Sequence, residues 1–356
     1  MLGPALDVMG GITSVTQTWL ASRALQDVEV IHVGTVGEGK RRHKAIQMLQ
    51  AQGAFLQALR KKPDLVHIHV ANWLSFLRKV WYFQQARAAG LPVVLHIHGD
   101  HFADFHDRSE ASAALVRHAF ERAALVLALS ERARRSFDEW TGGRARTEVL
   151  YNPVVLDGVG KGTPLAEPPV ILFMGLVGDR KGVFDLVAVI PEILARAPGT
   201  RFVFGGNGEV DRLRAAIAAA GVDGSCEVLG WVTGPEKVRA FERASIYCLP
   251  SYSEGLPVSV LEAMAAGLPV VSTAIAGTPE AVAEGESGFL FSPGDRAALA
   301  ERLSRLARDA SLRASMGQAG RAIAEGRFGS EAIAERVRKL WESVLREQSS
   351  VVEQES

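Results

Sequence analysis

Glu254 and Glu262 stand eight positions apart across a Gly-Leu-Pro turn, inside the stretch 251–271. Pro257 suits the first turn of a helix, because the N–H it lacks is one that such a turn leaves unused, and residues 258–264 are types that continue a helix. The amides near Gly255 and Leu256 then lie at a helix start beside Glu254, a place that attracts a phosphate. Glu262 falls about two turns further along, within reach of the hydroxyls of a ribose joined to that phosphate. Two acids bracketing an amide-rich turn read as a site for a nucleoside diphosphate. The plainer alternative is a helix carrying two solvated acids.

Cations come from a second segment. GLVGDRKG at 175–182 closes an apolar run and opens a helix near 183, which brings Arg180 and Lys181 to the carboxyl edge of a strand, where α/β folds bind ligands. Cations there neutralise a diphosphate and the extra charge it gains when a bond to it breaks. FGGNGE at 204–209 follows another apolar run, and Gly206 and Gly208 let the backbone approach a base or phosphate without a Cβ in the way. This loop is neither a Gly-x-Gly-x-x-Gly fingerprint nor a P-loop, which removes support from dinucleotide and ATP-hydrolase readings. Gly10 and Gly11 precede a helix expected over 12–24 and offer another amide-rich terminus.

His96 and His98 share one face of the run 93–99 by alternation. His96 reads as a core residue, whereas His98, at the strand end before Gly99, is better placed to meet a ligand, with Asp100 a further candidate beside it. His67 and His69 form a similar pair one strand earlier. All nine histidines lie at or before His118, so only carboxylates or cysteines from the second half could complete a metal site; no metal is expected. No Asp-x-Asp occurs, so metal-bridged diphosphate binding lacks its usual ligands.

These residues need sheets to hold them. Apolar runs at 29–34, 65–70, 93–99 and 125–130 alternate with helical segments in the first half, and runs at 170–175, 201–205, 226–230, 245–249 and 269–273 repeat the pattern in the second. The runs lack polar alternation, as parallel strands covered on both faces do, so two doubly wound α/β sheets are predicted. At 356 residues and 47% hydrophobic content the chain can bury two cores. The expected division is a first domain over 1–153, a linker over 154–169, a second domain over 170–329, a helix over 330–346 and a disordered tail over 347–356.

The acids of 251–271, the GLVGDRKG element and the glycine loop together resemble the retaining nucleotide-sugar glycosyltransferases of family 4, whose Glu-x7-Glu motif matches Glu254 and Glu262. The lysine of the family's element, a Gly-Arg pair followed after a gap by Lys-Gly, matches Lys181, while the arginine usual after the first glycine is replaced by Leu176, leaving Arg180 as its substitute. The resemblance implies the GT-B architecture: two Rossmann-like domains facing each other across a cleft, with the last helix crossing back to the first. It implies transfer of a sugar, with retained configuration, from a UDP- or GDP-sugar to a hydroxyl of a glycan or lipid-linked acceptor. Lys181, Arg180, Gly255 and Leu256 would hold the diphosphate, Glu262 the ribose, and Glu254 the donor sugar. Gly206 and Gly208 would lie near the nucleotide, Gly10 and Gly11 would face the diphosphate from the other domain, and His98 and Asp100 would serve the transferred sugar or acceptor. No cofactor beyond the donor is implied. A sugar-nucleotide epimerase of the same fold and a non-catalytic nucleotide-binding subunit remain alternatives. A retaining glycosidase is disfavoured, because it needs two free carboxyls about 5 Å apart.

Family members place a complete strand before the Gly-Gly turn, whereas only Met1 to Met9 precede Gly10 here, so an upstream start or a clipped strand is expected. Residues 1–155 carry 19 Lys/Arg against 14 Asp/Glu, which suggests an anionic partner for the first half but falls short of a nucleic-acid binder. The aromatic and basic stretch 73–83, with the basic runs 40–44 and 60–62, offers peripheral contact with an anionic membrane. No secretion signal or membrane-spanning run is read. Cys226 and Cys248 are expected to be reduced core residues, and the cytoplasm, at the inner face of the membrane, is the expected location.

Overall fold

The computed structural model describes residues 1–8, 10–35, 41–99 and 102–355, with 41–45 and 351–355 described by backbone alone. They form two compact units, Met1–Pro153 with Ser330–Ser356, and Val154–Gly329.

The first unit holds β1 (Leu2–Gly3), β2 (Val33–Gly34), β3 (Val66–Val70), β4 (Val93–Ile97), β5 (Leu125–Ala128) and β6 (Thr147–Val149), in the order β2-β1-β3-β4-β5-β6. Every pairing is parallel. The sequences VHIHV and VVLHI are buried along their whole length, as strands between two helical layers must be. Trp19, Phe76, Phe83 and Phe120 are fully buried in this unit, each contributing roughly 1.5–3 kcal/mol.

The second unit holds β7 (Val170–Met174), β8 (Arg201–Gly205), β9 (Cys226–Gly230), β10 (Ile246–Leu249), β11 (Val270–Thr273) and β12 (Gly288–Phe291), in the order β12-β11-β10-β7-β8-β9 and again all parallel. The chain winds outward from β7 in one direction, then returns to start β10 on its other side. That reversal makes the carboxyl ends of β7 and β10 a topological switch point, the place where doubly wound sheets bind ligands.

Several expectations need correction. The strand expected over 29–34 pairs only at Val33–Gly34, because its neighbour β1 offers just two residues to the ladder. The helix expected over 12–24 is Gly11–Ala21; Ser22 turns extended, accepts from the amide of Ala24 and starts a separate 3₁₀ turn. Strands β6 and β12 were not foreseen. Residues 154–169 are not a free linker but are tied into the second unit: Val154 N donates to Phe328 O at 2.8 Å and Gly162 N to Ala266 O at 2.8 Å. The last helix does not end at 346 with a disordered tail over 347–356. It runs Ser330–Glu355, with no Gly or Pro to stop it, and is held by Arg146 to Glu347 (2.8 Å) and Gln348 to Gly90 O (3.0 Å).

The stretch 73–83 lies in the helix Trp73–Ala88 and buries Phe76, Tyr82, Phe83 and also Lys79, leaving Leu74, Leu77 and Trp81 exposed. Lys79 donates to the carbonyl of His69, so it is no outward-facing cation. The side chains of the basic run 40–44 lie outside the described residues. No helix among the described residues is long and apolar enough to cross a membrane.

Candidate functional site

Lys181 follows β7 and Glu254 follows β10, so the two stand on either side of the second unit's switch point. Their side chains form an ion pair, 14% and 9% exposed, and Ser251 Oγ donates to the same carboxylate oxygen at 2.6 Å. The loops that carry them are joined by backbone: Tyr252 N donates to Arg180 O at 2.9 Å, and Thr273 Oγ1 holds Ser251 O at 2.6 Å. Gly182, at φ 65°, is needed for this approach, because a Cβ there would strike the carbonyl of Pro250. Arg180 Nη1 lies 3.4 Å from Ser253 O, beside the pair without entering it. Tyr252 anchors the second loop to the helix Val183–Arg196 through Asp185, 2.7 Å away, and Arg296 holds that acid's other oxygen at 2.7 Å.

The glycine loop lies against the first one. Gly175 N donates to Gly205 O (2.9 Å), Val177 N to Asn207 O (2.7 Å) and Glu209 N to Val177 O (2.9 Å). Gly206 at φ 149° and Gly208 at φ 110° could not carry a Cβ without striking the carbonyls of Gly175 and Val177. These glycines therefore have a structural duty, the close seating of two loops at neighbouring strand ends.

Gly255 and Leu256 lead into the helix Val258–Ala265, which Pro257 caps with no side-chain acceptor at its amides. The helix is almost wholly buried, and it carries Glu262 at 8% exposure. Lys237 Nζ meets Glu262 Oε1 at 2.6 Å. Burial raises the carboxyl above its usual range, and Lys237 opposes the rise. Lys237 was not singled out from the sequence. Its position in the helix Gly234–Arg243, just beyond the strand end of β9, is the signal that could have found it.

In the first unit the sheet order reverses between β1 and β3. Gly10 and Gly11, past the end of β1, open the helix Gly11–Ala21, and no side chain caps its amides. His98 lies just past β4, where its amide extends the ladder to Val70 O at 2.8 Å. Its Nε2 is 2.9 Å from Nδ1 of buried His69. Burial holds His67, His69 and His98 well below the usual imidazole range and takes His96 to about 3, so all four rings are neutral near pH 7. Asp100 lies outside the described residues.

One ring nitrogen from each of His67, His69 and His96 comes within 4.8 Å of the other two, a grouping with the make-up of a metal centre. Its surroundings do not fit one. Trp341 Nε1 donates to His67 Nδ1 at 3.0 Å, which leaves the proton of that neutral ring on Nε2, where a metal would need a lone pair. Alternation along each strand pairs His67 with His69 and His96 with His98 without joining the two pairs, and it gives no sign of Trp341.

Residues 161–323 match the family of Glycosyl transferases group 1, and residues 12–153 match the Glycosyl transferase 4-like domain. A phosphatidyl-myo-inositol mannosyltransferase of Mycobacterium leprae is 29% identical over 300 residues, 81% of this chain and 75% of its own length. A 2-deoxystreptamine N-acetyl-D-glucosaminyltransferase of Streptomyces fradiae is 28% identical over 298 residues, 76% of this chain and 69% of its own. Among solved structures, Anabaena HepE in complex with UDP-glucose aligns with a TM-score of 0.75 at 20% identity, covering 96% of this chain and 98% of that one. Two matched domains spanning most of the sequence, on two parallel sheets of the expected kind, make this chain a member of the group 1 glycosyltransferases, of the family 4 type with the GT-B fold.

Proposed function

We propose that the chain transfers a sugar from a nucleoside diphosphate sugar to an acceptor hydroxyl with retained configuration and without a metal. The observation that carries this reading is the Lys181 and Glu254 pair at the switch point between β7 and β10, a cation and an acid held together at the edge where such sheets bind ligands. The UDP-glucose bound to HepE, a protein of the same fold, supports the donor class.

In this reading the bond between the anomeric carbon and the β-phosphate oxygen breaks and its electron pair leaves with the diphosphate. Lys181, Arg180 and the amides of Gly255 and Leu256 stabilise that charge. Lys181 serves both the phosphate and Glu254, whose second oxygen orients donor-sugar hydroxyls. Glu262 accepts from the ribose, and Lys237 keeps it ionised in its buried setting. Gly206 and Gly208 seat the loop beside the nucleotide. The acceptor oxygen forms the new bond on the same face of the sugar, and its proton passes to a donor phosphate oxygen. His98, Gly10, Gly11 and Asp100 are the first unit's contributions, His98 and Asp100 toward sugar and acceptor, and the acceptor is a glycan or lipid-linked glycan.

Melting curves with UDP, GDP and ADP test the reading, since a ligand that binds only the folded state raises the melting temperature. UDP or GDP should raise it, and Lys181→Ala and Glu262→Ala should each abolish most of that rise. An unchanged rise in both variants would place the nucleotide elsewhere, and release of an epimer without acceptor would replace transfer with epimerisation.

A further inference from the structure

The histidine cluster of the first unit has a direction, and its direction is set from the last helix. An indole N–H can only donate, so the 3.0 Å bond from Trp341 Nε1 to His67 Nδ1 makes that nitrogen an acceptor. Neutral His67 therefore carries its proton on Nε2. That nitrogen has no hydrogen-bond partner, nor do Nε2 of His69 and both nitrogens of His96, and all of these atoms are buried. The rings pack closely, with centroids 4.7 Å apart for His67 and His69 and 5.3 Å for His69 and His96.

The remaining choice is which way the 2.9 Å contact between His69 Nδ1 and His98 Nε2 runs. Suppose His98 donates. His69 then holds its proton on Nε2, and the pocket contains three N–H groups, from His67, His69 and His96, against a single lone pair on His96. Suppose instead that His69 donates. The pocket then contains two N–H groups and two lone pairs. Buried donors without acceptors are among the costliest unmet groups, about 1–3 kcal/mol each. The indole N–H of Trp19 is also unsatisfied and stacks over His96 at 5.6 Å between centroids, which increases the demand for lone pairs. Lys79, donating to the carbonyl of His69, fixes the backbone from which this ring projects.

We propose that His69 is a positioning residue which, oriented by Trp341 through His67, donates its Nδ1–H to His98 Nε2 and so holds His98 as the tautomer protonated on Nδ1. The consequence for turnover rests on the reading of His98 as a sugar- or acceptor-side residue, whereas the tautomer itself does not. His98 would then offer an incoming ligand a hydrogen-bond donor and no acceptor, which favours a sugar or acceptor oxygen presenting its lone pairs.

The test is the ¹⁵N spectrum of the histidine rings in the full chain, read through two-bond couplings to the ring protons. In the wild type, His98 should show a pyridine-type Nε2 and a pyrrole-type Nδ1. The reverse pattern, or an even mixture, overturns the proposal. In Trp341→Phe, which keeps the packing and removes the N–H, His67 is released and the His98 signals should move toward the other tautomer. An unmoved His98 beside a switched His67 removes Trp341 from the chain of control. His69→Phe should leave His98 without a preferred tautomer and lower kcat more than it raises KM for the donor; should that variant not fold, the wild-type and Trp341→Phe spectra still decide. A wild type with no transferase activity but the expected spectrum would defeat the functional reading and leave the tautomer assignment standing.

Discussion

Glu254 accepts from Lys181 and from Ser251 through one and the same oxygen, Oε1, at the point where the second sheet reverses. Its partners come from different strand ends, so the contact also ties the β7 loop to the β10 loop. One carboxylate thus fastens two strand ends together.

Removing either member of the pair should therefore be felt twice. Lys181→Met leaves Glu254 charged and poorly solvated, and should destabilise the second unit by about 3 kcal/mol while lowering kcat by about 10²–10³. Lys181→Met with Glu254→Gln should restore most of the stability and none of the turnover. Urea unfolding alongside steady-state kinetics checks this; recovery of activity in the double variant would remove the pair from catalysis.

Glu262 is raised by burial and held down by Lys237, so its ionised fraction falls as the solution is acidified toward the usual carboxyl range, and the loss begins above 4.5. Nucleotide affinity of the wild type should weaken over that interval. Glu262→Gln should bind UDP or GDP about tenfold more weakly and keep only the pH dependence that the ligand's own terminal phosphate brings, with little loss of stability because a neutral amide suits the buried site. Calorimetric titration from pH 5 to pH 8 provides the comparison.

Lys79 is 3% exposed, and burial takes its ammonium from 10.5 down to about 7. Below about pH 7 both folded and unfolded chains are protonated and the full cost of burying the charge is present. Between about 7 and 10.5 the folded form is neutral while the unfolded form still binds the proton, so stability rises with pH. Lys79→Met should stabilise the first unit near pH 6.5 by an amount on the order of 5 kcal/mol, less the lost bond to His69, and the advantage should shrink as pH approaches 10. A gap independent of pH would mean that the amine is not titrating in this range.

Gly206→Ala should destabilise the second unit by more than about 2 kcal/mol, since it combines a strained φ with a Cβ driven into the Gly175 carbonyl. Gly224→Ala, with nothing within 4 Å of the added carbon, should be nearly silent and serves as the control. Equal melting temperatures for the two would contradict the tight seating of the loops.

The gathering of Lys181 and Glu254 at one edge was legible in the sequence, because each sits where an apolar run ends and run ends of a parallel sheet share one edge. These two could be read in this way without knowing strand order, and Glu262 followed from counting helical turns onward from Glu254. Lys237 also follows a run end, but its pairing with Glu262, 25 residues away, is a tertiary contact that nothing local marks. The link between His69 and His98 depends on register, with His69 opposite His96 in the ladder, which alternation along one strand does not reveal. β6 escaped notice as a short, half-buried Thr-Glu-Val segment, and β12 because it begins with Gly288, which is needed where a Cβ would strike the Val270 carbonyl. The last helix outran its expected end because the contacts holding Glu347 and Gln348 are tertiary.

Val154 bridges Gly329, so the second unit begins and ends at one spot, like a passage set in parentheses. The first unit is the interrupted sentence around it. During synthesis the parenthesis closes once Gly329 has emerged, while the histidine pocket still waits for Trp341 and the other residues of the final helix. Until then the ribosome bears a finished second unit on an unfinished first one, whose residues 1–153 wait through more than 170 residues of elongation for their closing helix.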